Sequence, residues 1–574
     1  MAELNDRKEF EGRADFIDNQ DLLDWTVENE QFQQIQEKLL EKGAILLAGP
    51  RGSGKTHHMK VAYNKSLRNP GYPLTIYVSF GKYYHLEPLL FKSPRAYQIF
   101  HTWILGKIIL GCQQVIDDLH DIEQKRYSNL DFLKEFSNLE VFVSQTEKGL
   151  SSNEYVDLIE RLTIHEVVKI LETLANKLNR KKIVLFLDDA ALTLTPGYMR
   201  EFFDVLRSLK SSRISPKASV YLGTTEYSPR FHVGHDAEKV DCWFNVEDKS
   251  YSQFMDQFIE KRFPGILTSI PKDIIDLLKY AAFGIPRIFI NLIRAFEERK
   301  KNRRIQEVFN RVIDEQAALI KAEYNSFTHK MPQYKTIIHT GDDLFEKIIS
   351  ILTEENHQIQ QKGKKEKQII IGIQQKQKYS TNISRMIKFL IEAGLLYPLS
   401  PVKHGSSKQR EYERYIPHLL FLIKKRAFST GKGFNAGQIV EFICRESPKH
   451  PLRRTIDNLL AKNQIEKIKL DLPPCSYCGT LRLSEDQKFC HNCGHQLVEK
   501  SRFKECMKIS IEDLPLTNWQ KKRIKEKTPL IKTIEDIISL PEPGSELQKI
   551  RHVGPKRSEK IITIAKRFVE EYLA

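Results

Sequence analysis

Ala44-Ile-Leu-Leu-Ala-Gly-Pro-Arg-Gly-Ser-Gly-Lys-Thr56 decides the fold of this chain. Ala44 to Ala48 is a short apolar run that reads as a buried strand. A glycine-rich turn follows, and Gly49, Pro50, Arg51, Gly52, Ser53, Gly54, Lys55 and Thr56 match GxxxxGK[ST]. The glycines let backbone N–H groups face phosphates. Lys55 is placed to reach the β- and γ-phosphates, and Thr56 to ligate Mg²⁺. A strand before the turn and a helix after it is the context this chemistry requires.

The neighbouring segments extend the pattern. Asn29 to Lys42 has the periodicity of an amphipathic helix, and Thr75 to Phe80 (TIYVSF) reads as a second strand. Residues 84–180 read as a mainly helical insertion. Ile183 to Leu187 (IVLFL) is then an apolar strand ending in Asp188 and Asp189. An acid at that place can hold Mg²⁺ (Asp188), and its neighbour (Asp189) can polarise an attacking water. Ser219 to Gly223 (SVYLG) is a further strand, and residues 250–325 are helical by periodicity. Strands alternating with helices predict an α/β fold with a parallel sheet.

With these motifs in place, the chain resembles the AAA+/STAND superclass of P-loop ATPases, over about residues 15–430. The resemblance implies ATP as ligand and assigns further roles. Thr224 and Thr225, after SVYLG, stand where those proteins sense the γ-phosphate. Arg230, in SPRF, stands where many place an arginine finger for a neighbouring subunit, which implies a homo-oligomer. Gly284-Ile-Pro-Arg287 is similar to the lid motif GxPR, with Arg287 as second sensor. Two groups share these features. Origin-recognition and initiator ATPases carry the lid arginine; STAND ATPases often carry paired acids and a Thr-Thr sensor. Asp189 is one methylene shorter than the Glu usual in initiators, which implies slow hydrolysis.

The net charge is +16, and it is segregated. Residues 1–330 hold 46 basic and 46 acidic residues, whereas residues 331–574 hold 44 and 28. A basic rear half points to a polyanion, most often nucleic acid. The N-terminus lacks a signal-peptide core, and no run of about 18 apolar residues stands out, so a cytoplasmic chain without a membrane partner is expected.

The rear half divides into modules. A linker is expected at 326–341. Residues 342–420 resemble a winged helix: Leu344 to Leu352 forms its first helix, and Thr381 to Ala393 its recognition helix. Leu395 to Leu399 and Glu411 to Ile416 form its wing. Arg385 and Lys388 on that helix, and Lys403, Lys408 and Arg410 in the wing, are the expected DNA contacts. A winged helix used for protein packing is the other reading. Cys475, Cys478, Cys490 and Cys493 form CxxC-x11-CxxC with Gly479 and Gly494 after each pair, the layout of a structural Zn²⁺ ribbon. The tail resembles the C-terminal domain of the bacterial RNA polymerase α subunit, in Ile511-Glu-Asp-Leu514, Thr533-Ile-Glu-Asp536 and Leu547 to Gly554. That implies a helix-hairpin-helix, in which Gly554, Lys556, Arg557 and Lys560 would grip phosphates.

The expected organisation is therefore an ATPase core (1–248), helical lid (249–330), winged helix (342–430), helical connector (431–470), zinc ribbon (471–498) and helix-hairpin-helix (509–574). An initiator-like, nucleotide-controlled switch on DNA is the function expected first. A STAND-like sensor controlling a protein effector, and a rapid ATP-driven DNA remodeller, are the alternatives.

Overall fold

In the computed structural model, the residues described are 8–573 except 82–85, 87–94, 124–135, 137, 149–154, 190–195, 301–302, 375–380, 405–409, 430–432, 449, 484–486, 488, 498–505, 515, 540–541 and 552. Lys408 lies outside them.

The front half is built on five parallel strands: β1 (Ile45–Ala48), β2 (Leu74–Ser79), β3 (Ile183–Asp188), β4 (Ile214–Val220) and β5 (Glu238–Asp241). Their order is β2-β3-β4-β1-β5, and every neighbouring pair is parallel. β1, the strand that leads into the glycine-rich turn, lies between β4 and β5. The order brings the carboxyl ends of β1, β3 and β4 side by side, where open α/β sheets bind ligands. α1 (Lys55–Arg68) leaves β1 through the glycine-rich turn.

β4 starts five residues earlier than the sequence suggests, because Pro216 and Lys217 disguise its first half. Lys217 is fully buried, yet its Nζ donates to the carbonyls of Lys38, Glu41 and Gly43 at 2.7–3.0 Å. Three acceptors offset the desolvation that would otherwise exclude a lysine from a central strand.

The expectation about apolar runs needs correcting. α2 (Ala96–Glu123) contains a stretch, Ala96–Ile122, long and apolar enough to cross a membrane by composition. In the fold it is a core helix. Phe100, Trp103, Ile104, Ile108 and Cys112 are buried, and a Cβ on Gly111 would sit 2.9 Å from Ile76 of β2.

The N-terminal segment and the residues from Trp243 onward share one hydrophobic core running from Phe10 to Ile468. α3 (Pro286–Arg299) begins at the Pro of the lid motif. α4 (Ile305–Lys330) and α5 (Lys335–Gln361) are separated only by the short turn Pro332–Tyr334, so the expected linker is mostly helix. Tyr324, Phe327, Tyr334, Ile337 and Ile338 of this junction are buried, which is why no solvated linker forms. A second sheet, ordered β7-β8-β6-β9, comprises β6 (Ile371–Gln374), β7 (Leu396–His404), β8 (Arg410–Pro417) and β9 (Leu452–Arg454). α6 (Thr381–Glu392) lies between β6 and β7 in sequence. The tail is a separate small core around Ile511, Leu514, Ile534, Leu547 and Ile561. It includes α7 (Pro543–Gln548) and α8 (Pro555–Leu573).

Candidate nucleotide site and cysteine cluster

The glycine-rich turn is a compact loop because two of its residues have positive φ, Gly52 at +79° and Gly54 at +100°. Gly52 is also required by contact: a Cβ there would come within 2.6 Å of Cβ of Arg287. Lys55 opens α1 and folds back, its Nζ donating to the carbonyls of Gly49 (2.7 Å) and Pro50 (3.1 Å). The same ammonium lies 3.9 Å from the ring centre of Tyr221. Burial holds its pKa below the usual lysine value, against the opposing pull of Cys242, Asp189 and Asp188.

The acids at the end of β3 face this lysine. Asp188 is buried and accepts from the Tyr77 hydroxyl at 2.9 Å. The Asp189 amide donates to Asp188 Oδ1 (3.0 Å) and to Ser219 Oγ (2.8 Å), and Asp189 has φ +55°. That left-handed turn swings its side chain out of strand register, a conformation Asp tolerates better than most residues. Burial first, then the charges of Asp188 and Asp15, push the Asp189 carboxyl up to about 7.

Arg287 reaches the turn from the lid. Its amide donates to the Gly52 carbonyl at 3.4 Å, and its Nε to the Gly12 carbonyl at 3.2 Å. The lid, the N-terminal segment and the glycine-rich turn therefore meet at one arginine. Arg51 of the turn points to Glu323 of α4, at 4.0 Å.

Thr224 and Thr225 are buried beside this group. Thr225 Oγ1 accepts from the Tyr221 amide at 3.0 Å, closing the turn after β4. Thr224 is engaged by Glu392, the last residue of α6. Sequence reasoning missed Glu392, Tyr77 and Gly12. A signal existed for Glu392: an acid in the last turn of a helix opposes the helix dipole and needs a compensating donor. Nothing in the sequence named that donor.

Arg230 is exposed and lies away from the turn. With Arg207, His232, His235 and Asp236 it lines an open surface cavity of about 450 Å³.

The expected DNA contacts fall into three places. Arg385 is turned towards the front half, its guanidinium 3.0 Å from Glu226 and 5.0 Å from the Tyr334 ring centre. Lys388, on the same helix, is exposed. Lys403 and Arg410 are exposed at the end of the β7–β8 ladder where His404 pairs with Arg410. Lys556, Arg557 and Lys560 are exposed on the first turns of α8, after Gly554.

Cys475, Cys478, Cys490 and Cys493 bring all four sulfur atoms within 4.8 Å of one another. A tetrahedron with Zn–S bonds near 2.3 Å has edges of about 3.8 Å, so the donor set fits zinc. Two matching turns build it. The Cys475 amide donates to Thr480 and the Gly479 amide to Cys475, both at 2.9 Å; Cys490, His495 and Gly494 repeat the arrangement at 2.8 and 2.9 Å. Gly479 and Gly494 have φ of +72° and +70°. The Thr480 hydroxyl and amide pull the Cys478 thiol down to about 5.

No protein-family model matches the chain, and no curated protein matches it. Several solved structures are similar to it, among them two. One is the Walker-type ATPase PABY2304 of Pyrococcus abyssi, 13% identical over 73% of this chain and 99% of that one, with a TM-score of 0.36. The other is the Orc1 protein of Aeropyrum pernix in complex with DNA, 14% identical over 73% of this chain and 96% of that one, with a TM-score of 0.30.

Proposed function

We propose that this chain is an initiator-like AAA+ ATPase whose nucleotide state controls a DNA-binding rear half. The observation that carries the reading is the convergence of Lys55, Asp188, Asp189 and Thr224 at the carboxyl ends of β1, β3 and β4, with Arg287 of the lid on Gly52.

In this reading the turn amides and Lys55 cradle the phosphates of ATP. Thr56 and Asp188 would hold Mg²⁺, which neutralises phosphate charge when bound. Asp188 is oriented by Tyr77. Asp189 is the base candidate, and its reach, one methylene shorter than that of Glu, suits a slow ATPase. Arg287 links nucleotide occupancy to the lid. The four cysteines would hold a structural Zn²⁺ and supply no chemistry.

The rear half supplies the DNA grip. Residues 342–430 read as a winged helix, with Lys388, Lys403 and Arg410 exposed on it. The tail reads as a helix-hairpin-helix, with Lys556, Arg557 and Lys560 at a helix N-terminus where phosphates bind well. Several weak phosphate contacts on one chain add avidity.

A STAND-like sensor for a protein effector is the second reading. It is favoured by the seating of α6 against the front half through Arg385 and Glu392. One experiment separates the two: retention of duplex DNA by the purified chain in ATP, in ADP and without nucleotide. Nucleotide-dependent retention supports the DNA switch. Absence of retention in all three states overturns it.

A further inference from the structure

The carboxylate of Glu392 accepts three hydrogen bonds from the end of β4. The amides of Gly223 and Thr224 each donate to Oε2 at 2.7 Å, and Thr224 Oγ1 donates to Oε1 at 2.8 Å. Glu392 is 7% exposed. It comes from α6, more than 160 residues further along the chain. The approach is close enough that a Cβ on Gly223 would sit 2.7 Å from Phe389 Cδ1, one turn earlier on α6. One turn earlier again, Arg385 pairs with Glu226 at 3.0 Å. Glu392 also shares a cleft of about 40 Å³ with Gly49, Pro50, Trp243 and Tyr397. Its charge acts on Lys55 and Arg51.

We propose that Glu392 makes the site discriminate tri- from diphosphate by holding, with its own carboxylate, the donors that a γ-phosphate would use. The proposal rests on the nucleotide-binding reading above. The chemistry is a competition between two anions for one set of N–H and O–H groups. A carboxylate and a terminal phosphate both only accept, and like charges at this range repel. A triphosphate must therefore expel Glu392. A diphosphate lacks that third anion and leaves it seated. Expelling Glu392 removes the hydrogen bonds that hold the end of α6 to the turn after β4, and it loosens the Phe389–Gly223 and Arg385–Glu226 contacts on the same face. The polar face of α6, including Arg385, is then released to solvent. Glu392 thus couples the length of the phosphate chain to exposure of the helix.

The test uses the full chain and two readouts. ATPγS and ADP affinities are measured for wild type and Glu392→Gln. The proposal expects ATPγS affinity to rise roughly 10-fold while ADP affinity stays level, because a neutral amide no longer repels the third phosphate. Equal shifts for both nucleotides, or no shift, overturn it. The second readout needs no variant: hydrogen exchange of residues 381–392 in wild type should quicken with ATPγS and not with ADP. Unchanged exchange with ATPγS bound overturns the proposal. If neither nucleotide binds wild type, the nucleotide reading itself has failed, and Glu392 falls with it. Binding without discrimination sinks Glu392 alone.

Discussion

Glu392, at the end of α6, and Thr224, just past the end of β4, share a 2.8 Å hydrogen bond although 168 residues separate them. Their contact seats a helix of the rear half on the strand end that flanks the glycine-rich turn. A carboxylate buried among three donors is well satisfied, whereas the same group without them would cost several kcal/mol. Both the seating of α6 and the state of the candidate nucleotide site therefore depend on one pair.

Lys55→Ala should abolish nucleotide binding without unfolding the chain. Its ammonium touches the carbonyls of Gly49 and Pro50 and the Tyr221 ring, and the acids Asp189 and Glu392 keep Arg51 as a cationic neighbour when it is lost. A weakening of at least about 100-fold is expected, or roughly 2.7 kcal/mol. Titration calorimetry with ATP, alongside a thermal melt, reads both halves of this statement. Retained affinity would remove Lys55 from the site.

Gly52→Ala should loosen the lid. The residue has φ +79°, and its new Cβ would collide with Arg287 at 2.6 Å. Backbone strain of about 1–3 kcal/mol is expected, and Arg287 must withdraw. Nucleotide affinity should fall and hydrogen exchange in α3 should quicken. A variant with unchanged exchange in α3 would show that Arg287 does not brace the turn.

Acid should destabilise the chain through two histidines. His58 and His418 are buried, and burial depresses each to about 3. In the unfolded chain each titrates near 6.5. Between those values the unfolded state binds the extra proton, so stability is full above about pH 6.5 and is lost as pH falls towards 3. From pH 6.5 to 5 each costs on the order of 2 kcal/mol. His418→Asn keeps an acceptor for the Leu420 amide and should flatten the fall of melting temperature with acid. An unchanged acid slope in that variant would contradict the assignment.

Cys478→Ser should lower the zinc content of the purified protein, measured by atomic emission, by about one ion per chain. The module packs only Cys475, Cys490 and Leu497 into its core among the described residues, so it has little apolar burial to hold it without metal. Its backbone amides should then exchange freely while the sheet of β1 to β5 stays protected. Full zinc content in the variant would rule out a four-sulfur site.

Lys556→Ala and Arg557→Ala should each weaken duplex binding uniformly across sequences and lower the steepness of its salt dependence by about one phosphate contact. Both side chains are exposed on the first turn of α8, while the tail core is formed by other residues. An unaltered salt slope would take the tail out of the DNA-binding surface.

The strand and turn from Ala44 to Thr56, the acids after IVLFL and the CxxC pairs were legible because each is a local pattern. Their geometry is set by residues within a few positions: an apolar run, a glycine where φ must be positive, a thiol at fixed spacing. The start of β4 was hidden by Lys217, whose three carbonyl partners lie more than 170 residues away. The junction at Pro332–Tyr334 was hidden too, because its burial comes from helices that meet only in the fold.

By itself, the sequence determined the glycine-rich turn, the paired acids, the CxxC pairs and the uneven charge, since each is written in adjacent residues. Tertiary structure alone decided which way α6 faces, that Arg385 pairs with Glu226, and that Glu392 sits on Thr224. The periodicity of a helix fixes which residues share a face. It does not say whether that face meets solvent or a distant strand, because the free energy that chooses comes from partners many residues away.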